Sequence, residues 1–310
     1  MKNNYAYGSL ASFLPLEENL FPMDQPSVFG RRAPIEVEIG FGTGEYLVRI
    51  ARDFPGTNFL GFEQCANRAI KTLRKIHDGD LKHVRIMRMD AVWGLRYLFP
   101  EKSLSRVHCL FPCPWPKKRH AKHRLFSTQI LQLINSRLID GAQLYIVTDH
   151  RPYFEWILEH VPGSGFEIGS DIIPAKFGTK FERKWAEAGQ SEFFELTLTK
   201  VAHQHGFVPE KVEMKTYFFD QVDFARVRPE NVWGPVTVKF GDLLYDPGVK
   251  KAVVDAVVSE DDRAQHIWIV IVHTAKGWCV CPAAGTIVLP TEGAQKAISL
   301  VAEAVRKSSS

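Results

Sequence analysis

Between residues 35 and 200, short apolar runs alternate with segments that repeat every three to four positions. Ile35–Ile39, Asn58–Phe62, Val84–Met89, Ser105–Leu110 and Gln143–Val147 have the length and apolar content of buried strands. Between and after them, Glu45–Asp53, Cys65–Ile76, Ala91–Phe99, Phe126–Leu138 and Arg151–His160 carry the spacing of one helix face, as at Val92, Leu95 and Phe99. Phe193–Thr199 alternates strictly and reads as a closing strand. This order predicts an α/β fold, a doubly wound Rossmann-like sheet of mostly parallel strands over residues 35–200. In such sheets ligands lie beyond the carboxyl ends of the strands. The site is therefore predicted at the glycine turn 40–44, Glu63, Asp90, the loop after Leu110, and Asp149.

The pattern differs on either side of that segment. Residues 1–34, rich in Pro, Gly and Asn, predict an irregular arm. Val201–Gly206 reads as a linker. Residues 207–307 predict a smaller α+β domain. Its strands are expected within Met214–Phe219 and Val236–Phe240, with a hairpin of Ile267–His273 and Trp278–Cys281 turning at Ala275-Lys276-Gly277. Apolar residues at Ala294, Ala297, Ile298, Val301 and Val305 predict a helix over Gly293–Val305. The charges of this domain are mixed, so no role follows from them.

Composition narrows the classes. At 310 residues, 45% hydrophobic and 24% charged, the chain is not a disordered one. A net charge of +4 permits a nucleic-acid partner without requiring it, so local clustering matters more. The longest apolar run, near Ile267–Val272, is too short to span a membrane, and MKNNYAYGSL has no leader-like apolar core. Cys65, Cys109, Cys113, Cys279 and Cys281 form no Cys-x-x-Cys pair, which suits reduced thiols in the cytoplasm. No histidine spacing predicts a metal; His120 and His123 lie among lysines and arginines that oppose a cation.

Two stretches carry chemistry. Glu38-Ile-Gly40-Phe-Gly42-Thr-Gly44 ends a strand and opens a helix, so backbone can approach a ligand there. Such a turn also resembles the opening of a dinucleotide fingerprint. Glu38 argues against a pyrophosphate and for the cationic methionine end of S-adenosylmethionine. Glu63, at the second strand's end, is placed to accept from ribose hydroxyls, and Asp90, at the third, from the adenine amino group. The second stretch is Phe111-Pro-Cys-Pro-Trp-Pro-Lys-Lys-Arg-His-Ala-Lys-His-Arg-Leu125. Three prolines in five residues predict a stiff, non-helical loop. Trp115 beside Lys117, Lys118 and Arg119 suits a flat base next to a polyanionic backbone. Trp115 alone also fits simple loop packing, and Asp149 fits a cap for the helix beginning near Arg151.

These residues resemble the bacterial tRNA guanine-N7 methyltransferases. The matching motifs are VEIGFGTGEYL (37–47), GFE (61–63), the proline-basic stretch (111–125), TDHRPYFEW (148–156) and TKFE (179–182). They cover roughly residues 35–200, and not the C-terminal domain. The resemblance implies cofactor contacts at Glu38, Gly40, Gly42, Gly44, Glu63 and Asp90. It implies tRNA contacts at Trp115, Lys117, Lys118, Arg119, Asp149, Thr179, Lys180, Phe181 and Glu182. Glu182 fits either a guanine contact or an ion pair with Lys180 or Arg183. One departure matters: Cys113 stands where the family carries an aspartate regarded as catalytic. Guanine N7 has a lone pair and no proton, so methyl transfer to it needs no general base; positioning and electrostatics are what the protein supplies. Cys113 fits a catalytic thiol at that position, or a side chain packed between the prolines and the cofactor. The expected function is tRNA (guanine-N7) methylation by a monomer or homodimer. The alternatives are a catalytically silent RNA-binding relative and a methyltransferase with a changed RNA substrate.

Overall fold

A computed structural model describes residues 10–15, 22–206, 212–260, 263–284 and 288–309. The chain divides into two compact units, the second taking in Glu210–Ser310.

In the first unit, β1 (Ile35–Ile39), β2 (Asn58–Phe62), β3 (Val84–Met87), β4 (Leu104–Leu110) and β5 (Leu138–Thr148) form a parallel sheet. Two further strands, β6 (Phe166–Ile173) and β7 (Phe193–Lys200), complete seven in the order β3-β2-β1-β4-β5-β7-β6. β7 runs antiparallel to both β5 and β6. The order reverses direction between β1 and β4, the crevice where doubly wound sheets bind ligands.

The helices are α1 (Gln25–Phe29), α2 (Glu45–Asp53), α3 (Ala66–Asp78), α4 (Ala91–Tyr97), α5 (Thr128–Arg137), α6 (Arg151–His160) and α7 (Lys180–Glu187). α2 buries Tyr46, Leu47, Val48, Ile50 and Ala51 in a core shared with Phe59, Val84 and Ile86. Each fully buried side chain of this size contributes roughly 1.5–3 kcal/mol. That burial fixes the amino end of α2 against the end of β1.

Several elements differ from the expected pattern. Part of the N-terminal arm is ordered: Asp24 caps α1, and Phe13 pairs with Ile86 beside β3. The rest of the arm, residues 1–9 and 16–21, lies outside the described residues. β6 was not expected, because this edge strand buries only Phe166 and Ile173 and so has no alternation. The expected linker is tied down within the first unit. Gln204 N–H donates to Asn135 and Gly206 N–H to Glu101. Glu101, His203 and His205 converge there, a cluster the sequence spacing does not reveal. Lys200 Nζ donates to His203 Nδ1, which leaves Nε2 to donate to Glu101 rather than hold a cation.

In the second unit, β8 (Tyr217–Phe219), β9 (Val236–Asp246), β10 (Lys251–Glu260), β11 (Arg263–Thr274) and β12 (Gly277–Pro282) form an antiparallel sheet, ordered β8-β12-β11-β10-β9. α8 (Glu292–Ser308) lays Ala294, Ile298, Val301 and Val305 over Val254, Val258, Ile267 and Ile269. β10 was not expected: half of its buried alternation is the small residues Ala252 and Ala256. Among the described residues, no helix is long and apolar enough to cross a membrane.

Candidate active site

The glycine turn is built by its backbone. Gly40, Gly42 and Gly44 have φ of 72°, 56° and 77°. At Gly44 a Cβ would also lie 2.5 Å from Thr72 Cγ2, so α3 packs against the turn where only glycine fits. Gly40 N–H donates to Phe62 O at 2.8 Å. Gly42 N–H donates to Glu63 Oε2 at 3.1 Å and Cys65 N–H to Glu63 Oε1 at 2.9 Å. Glu63 therefore holds both the turn and the start of α3. Lys75 Nζ closes the far side on Thr43 O at 2.7 Å.

Glu38 sits in the last positions of β1, 3% exposed. Its Oε2 is buried with no hydrogen-bond partner. Burial, reinforced by Glu45 and Glu63 and opposed by Arg49, pushes this carboxyl up to about 8. A desolvated carboxyl with one orphaned oxygen beside the glycine turn fits a bound cation, and S-adenosylmethionine carries two cationic groups. Asp90 Oδ1 accepts from Val92 and Trp93 N–H as the cap of α4, and Oδ2 accepts from Gln64 at 3.1 Å.

The proline loop leaves β4 under strain. Phe111 and Trp115 have φ of 55° and 44°, a region that bulky residues rarely adopt. Phe111 is held by its N–H on Val147 O and its ring on Phe193. The basic run is not irregular, as expected, but a 3-10 helix over Lys118–His123. The rings of His120 and His123 pack at 5.8 and 5.1 Å from Trp115. Arg124 donates to Pro114 O and stacks over Tyr153 and Trp156 of α6. Lys117 and Arg119 are exposed; the Lys118 side chain lies outside the described residues. Cys113 is exposed.

The expected cap at Asp149 falls instead to its neighbour. His150 Nδ1 accepts from Tyr153 N–H at the start of α6. Asp149 stays half-buried, and desolvation raises its carboxyl above the usual range. Gln190 fixes its carbonyl.

TKFE folds as the first turn of α7. Glu182 N–H donates to Thr179 Oγ1 at 3.2 Å. The Glu182 carboxylate turns back and accepts from the N–H groups of Lys176, Phe177 and Gly178. This is the logic of a capping box, whose Thr-x-x-Glu signature was present in the sequence. Glu182 is 2% exposed and pairs with neither Lys180 nor Arg183; the guanidinium of Arg183 goes to Gly178 O. Lys180 and Phe181 face outward. Arg68 lies over Phe181 at 6.0 Å and reaches Glu63 at 3.4 Å, which ties the TKFE turn to the glycine turn. Sequence spacing gave no sign of Arg68 in this role.

A family model described as "Putative methyltransferase" matches residues 32–195. The sheet order and this match define an α/β methyltransferase. The tRNA (guanine-N(7)-)-methyltransferase of Chlorobium phaeobacteroides is 44% identical over 169 residues, covering 54% of this chain and 83% of that one. That of Thermotoga maritima is 39% identical over 177 residues, 56% of each chain. That of Coprothermobacter proteolyticus is 30% identical over 308 residues, 94% of this chain and 92% of that one. The chain belongs to the tRNA (guanine-N(7)-)-methyltransferase family. The last alignment also takes in most of the C-terminal unit, which the motifs do not reach.

Proposed function

We propose that this protein transfers a methyl group from S-adenosylmethionine to N7 of a guanine in tRNA. Family membership along almost the whole chain carries the reading, and the unpartnered Glu38 Oε2 supports it locally. When bound, S-adenosylmethionine supplies an electrophilic sulfonium methyl group. Glu38 neutralises a cationic end of the cofactor. Glu63 Oε1 accepts one backbone N–H and keeps a lone pair for a ribose hydroxyl, while Oε2 is shared by Gly42 N–H and Arg68. Gly40, Gly42 and Gly44 bring backbone close, and Asp90 borders the adenine through Oδ2.

The target guanine leaves its stack to reach the strand ends. Trp115 offers it a ring, and Asp149 an acceptor for its N1–H and amino edge. Lys117, Lys118 and Arg119 neutralise backbone phosphates, so affinity falls with salt. Lys180 and Phe181 touch the RNA, while Thr179 and Glu182 hold the turn that presents them. No residue needs to remove a proton, because N7 has none. An exposed thiol at 113 is compatible with that chemistry. The test is transfer of labelled methyl to unmodified bulk tRNA, with the product base identified by mass spectrometry. N7-methylguanine is expected. Cofactor and tRNA binding without transfer would leave a silent relative; another methylated base would mean a changed substrate.

A further inference from the structure

On the sheet face shared with Glu38, but nearer the amino ends of the strands, lies a cavity of about 440 Å³. Its lining includes Glu36, Arg49, Arg106, His108 and Tyr145, with Lys176 and Phe177 as one wall. The volume is that of a small-molecule site.

Its charges are unequally matched. The Arg106 guanidinium makes no hydrogen bond or ion pair among the described residues, and its Nε is buried without a partner. It lies over the ring of Tyr145 at 5.4 Å. Glu36 is its neighbour across the strands, yet its Oε2 accepts from His108 Nε2 at 2.8 Å rather than from Arg106. Burial lowers the His108 pKa, and its Nδ1 meets Tyr46 OH at 3.0 Å, so the ring adds little charge. Arg49 stands between the rings of Tyr46 and Phe177 at 5.4 and 5.6 Å. One of its nitrogens serves the carbonyls of Lys176 and Phe177, and among the described residues no carboxylate pairs with it. Lys176 is matched by Glu195 at 2.6 Å, and Asp53 stands exposed on the lining.

Two guanidinium groups thus face one volume, each held on an aromatic ring and neither in an ion pair with a carboxylate among the described residues, although the charge of Glu36 lies beside Arg106. A stacked guanidinium is a preorganised fork for phosphate oxygens. Leaving it part-buried and unpaired costs free energy that a bound anion returns. We propose that this cavity binds a phosphate group through Arg49 and Arg106. The group comes either from a small phosphorylated molecule or from the tRNA backbone. Its wall at Lys176 and Phe177 is the loop that Glu182 holds, so occupancy would brace the TKFE turn.

The experiment titrates the full chain with inorganic phosphate and with a 5′-mononucleotide, in low-chloride buffer, by calorimetry and thermal unfolding. Wild type, Arg106→Met, Arg49→Gln and the surface control Lys82→Ala are compared. If the ligand is a small molecule, wild type and Lys82→Ala bind and are stabilised, while the two arginine variants weaken at least tenfold. If the phosphate is RNA's, the free probes bind all four alike, but tRNA binding by Arg106→Met loses about one from its log–log salt slope. Arg49→Gln, on the surface of α2, gives the same reading should Arg106→Met fail to fold. Unchanged phosphate, mononucleotide and tRNA binding in folded arginine variants overturns the proposal.

Discussion

Replacing Glu38 by Gln isolates the most costly group in the candidate site. The folded carboxyl titrates near 8 and the unfolded one near 4.5. A raised acid pKa means that the folded state holds the proton more tightly. Stability from this group is therefore complete below 4.5 and is lost as pH rises through 8. At 1.36 kcal/mol per pKa unit, wild type should lose about 3 kcal/mol between pH 5 and pH 8 through Glu38 alone. Glu38→Gln cannot titrate, so it loses none of this. The amide brings its own unsatisfied atoms, worth roughly 1–3 kcal/mol at every pH. The two thermal-unfolding profiles should therefore diverge with pH, by on the order of ten degrees across that range. Other titrating groups are common to both proteins and cancel. Parallel melting curves from pH 5 to pH 8 would refute the reasoning. Calorimetry adds a second reading: cofactor binding at pH 7 should release close to one proton from wild type and less from the variant.

Three further outcomes follow from packing and hydrogen bonding. Gly44→Ala places a methyl 2.5 Å from Thr72 at positive φ, which should cost about 2–4 kcal/mol and most of the cofactor affinity; an unchanged melting temperature would count against the tight packing of the turn. Glu182→Gln puts a donor against backbone N–H groups, and bonds to charged acceptors are worth about 1.5–3 kcal/mol, so the 176–178 amides should exchange tenfold or more faster; unchanged exchange would remove the loop-holding role. Cys113→Asp should raise the methyl-transfer rate with cofactor affinity unchanged, and a fall in rate would show that the thiol itself is used.

The strands and helices that bury an apolar face were legible because burial writes a period into the sequence. β6 has almost no buried face, and α7 exists through Thr179 and Glu182 rather than through an apolar stripe, so neither shows that period. The acids at the ends of β1 and β2 and the glycine turn between them were legible as neighbours, and Glu63 does bond that turn. What could not be read was commitment. Asp90 is engaged as a cap and Glu182 as a clamp, whereas Glu38 leaves Oε2 without a partner. Arg68 and Arg106 carry no motif, and their surroundings become distinctive only when distant strands and helices meet.

The thiols of the first unit are sorted by place. Cys109 is buried within β4, while Cys65 and Cys113 are exposed, one just after Glu63 and the other in the proline loop. A membrane-impermeant alkylating reagent would thus mark the candidate-site edge of this unit and spare its core. The protein carries two native attachment points for spectroscopic probes beside the glycine turn and the proline loop. By the same arrangement, an oxidant meets the thiols at the candidate-site edge of this unit before it meets the one in its core.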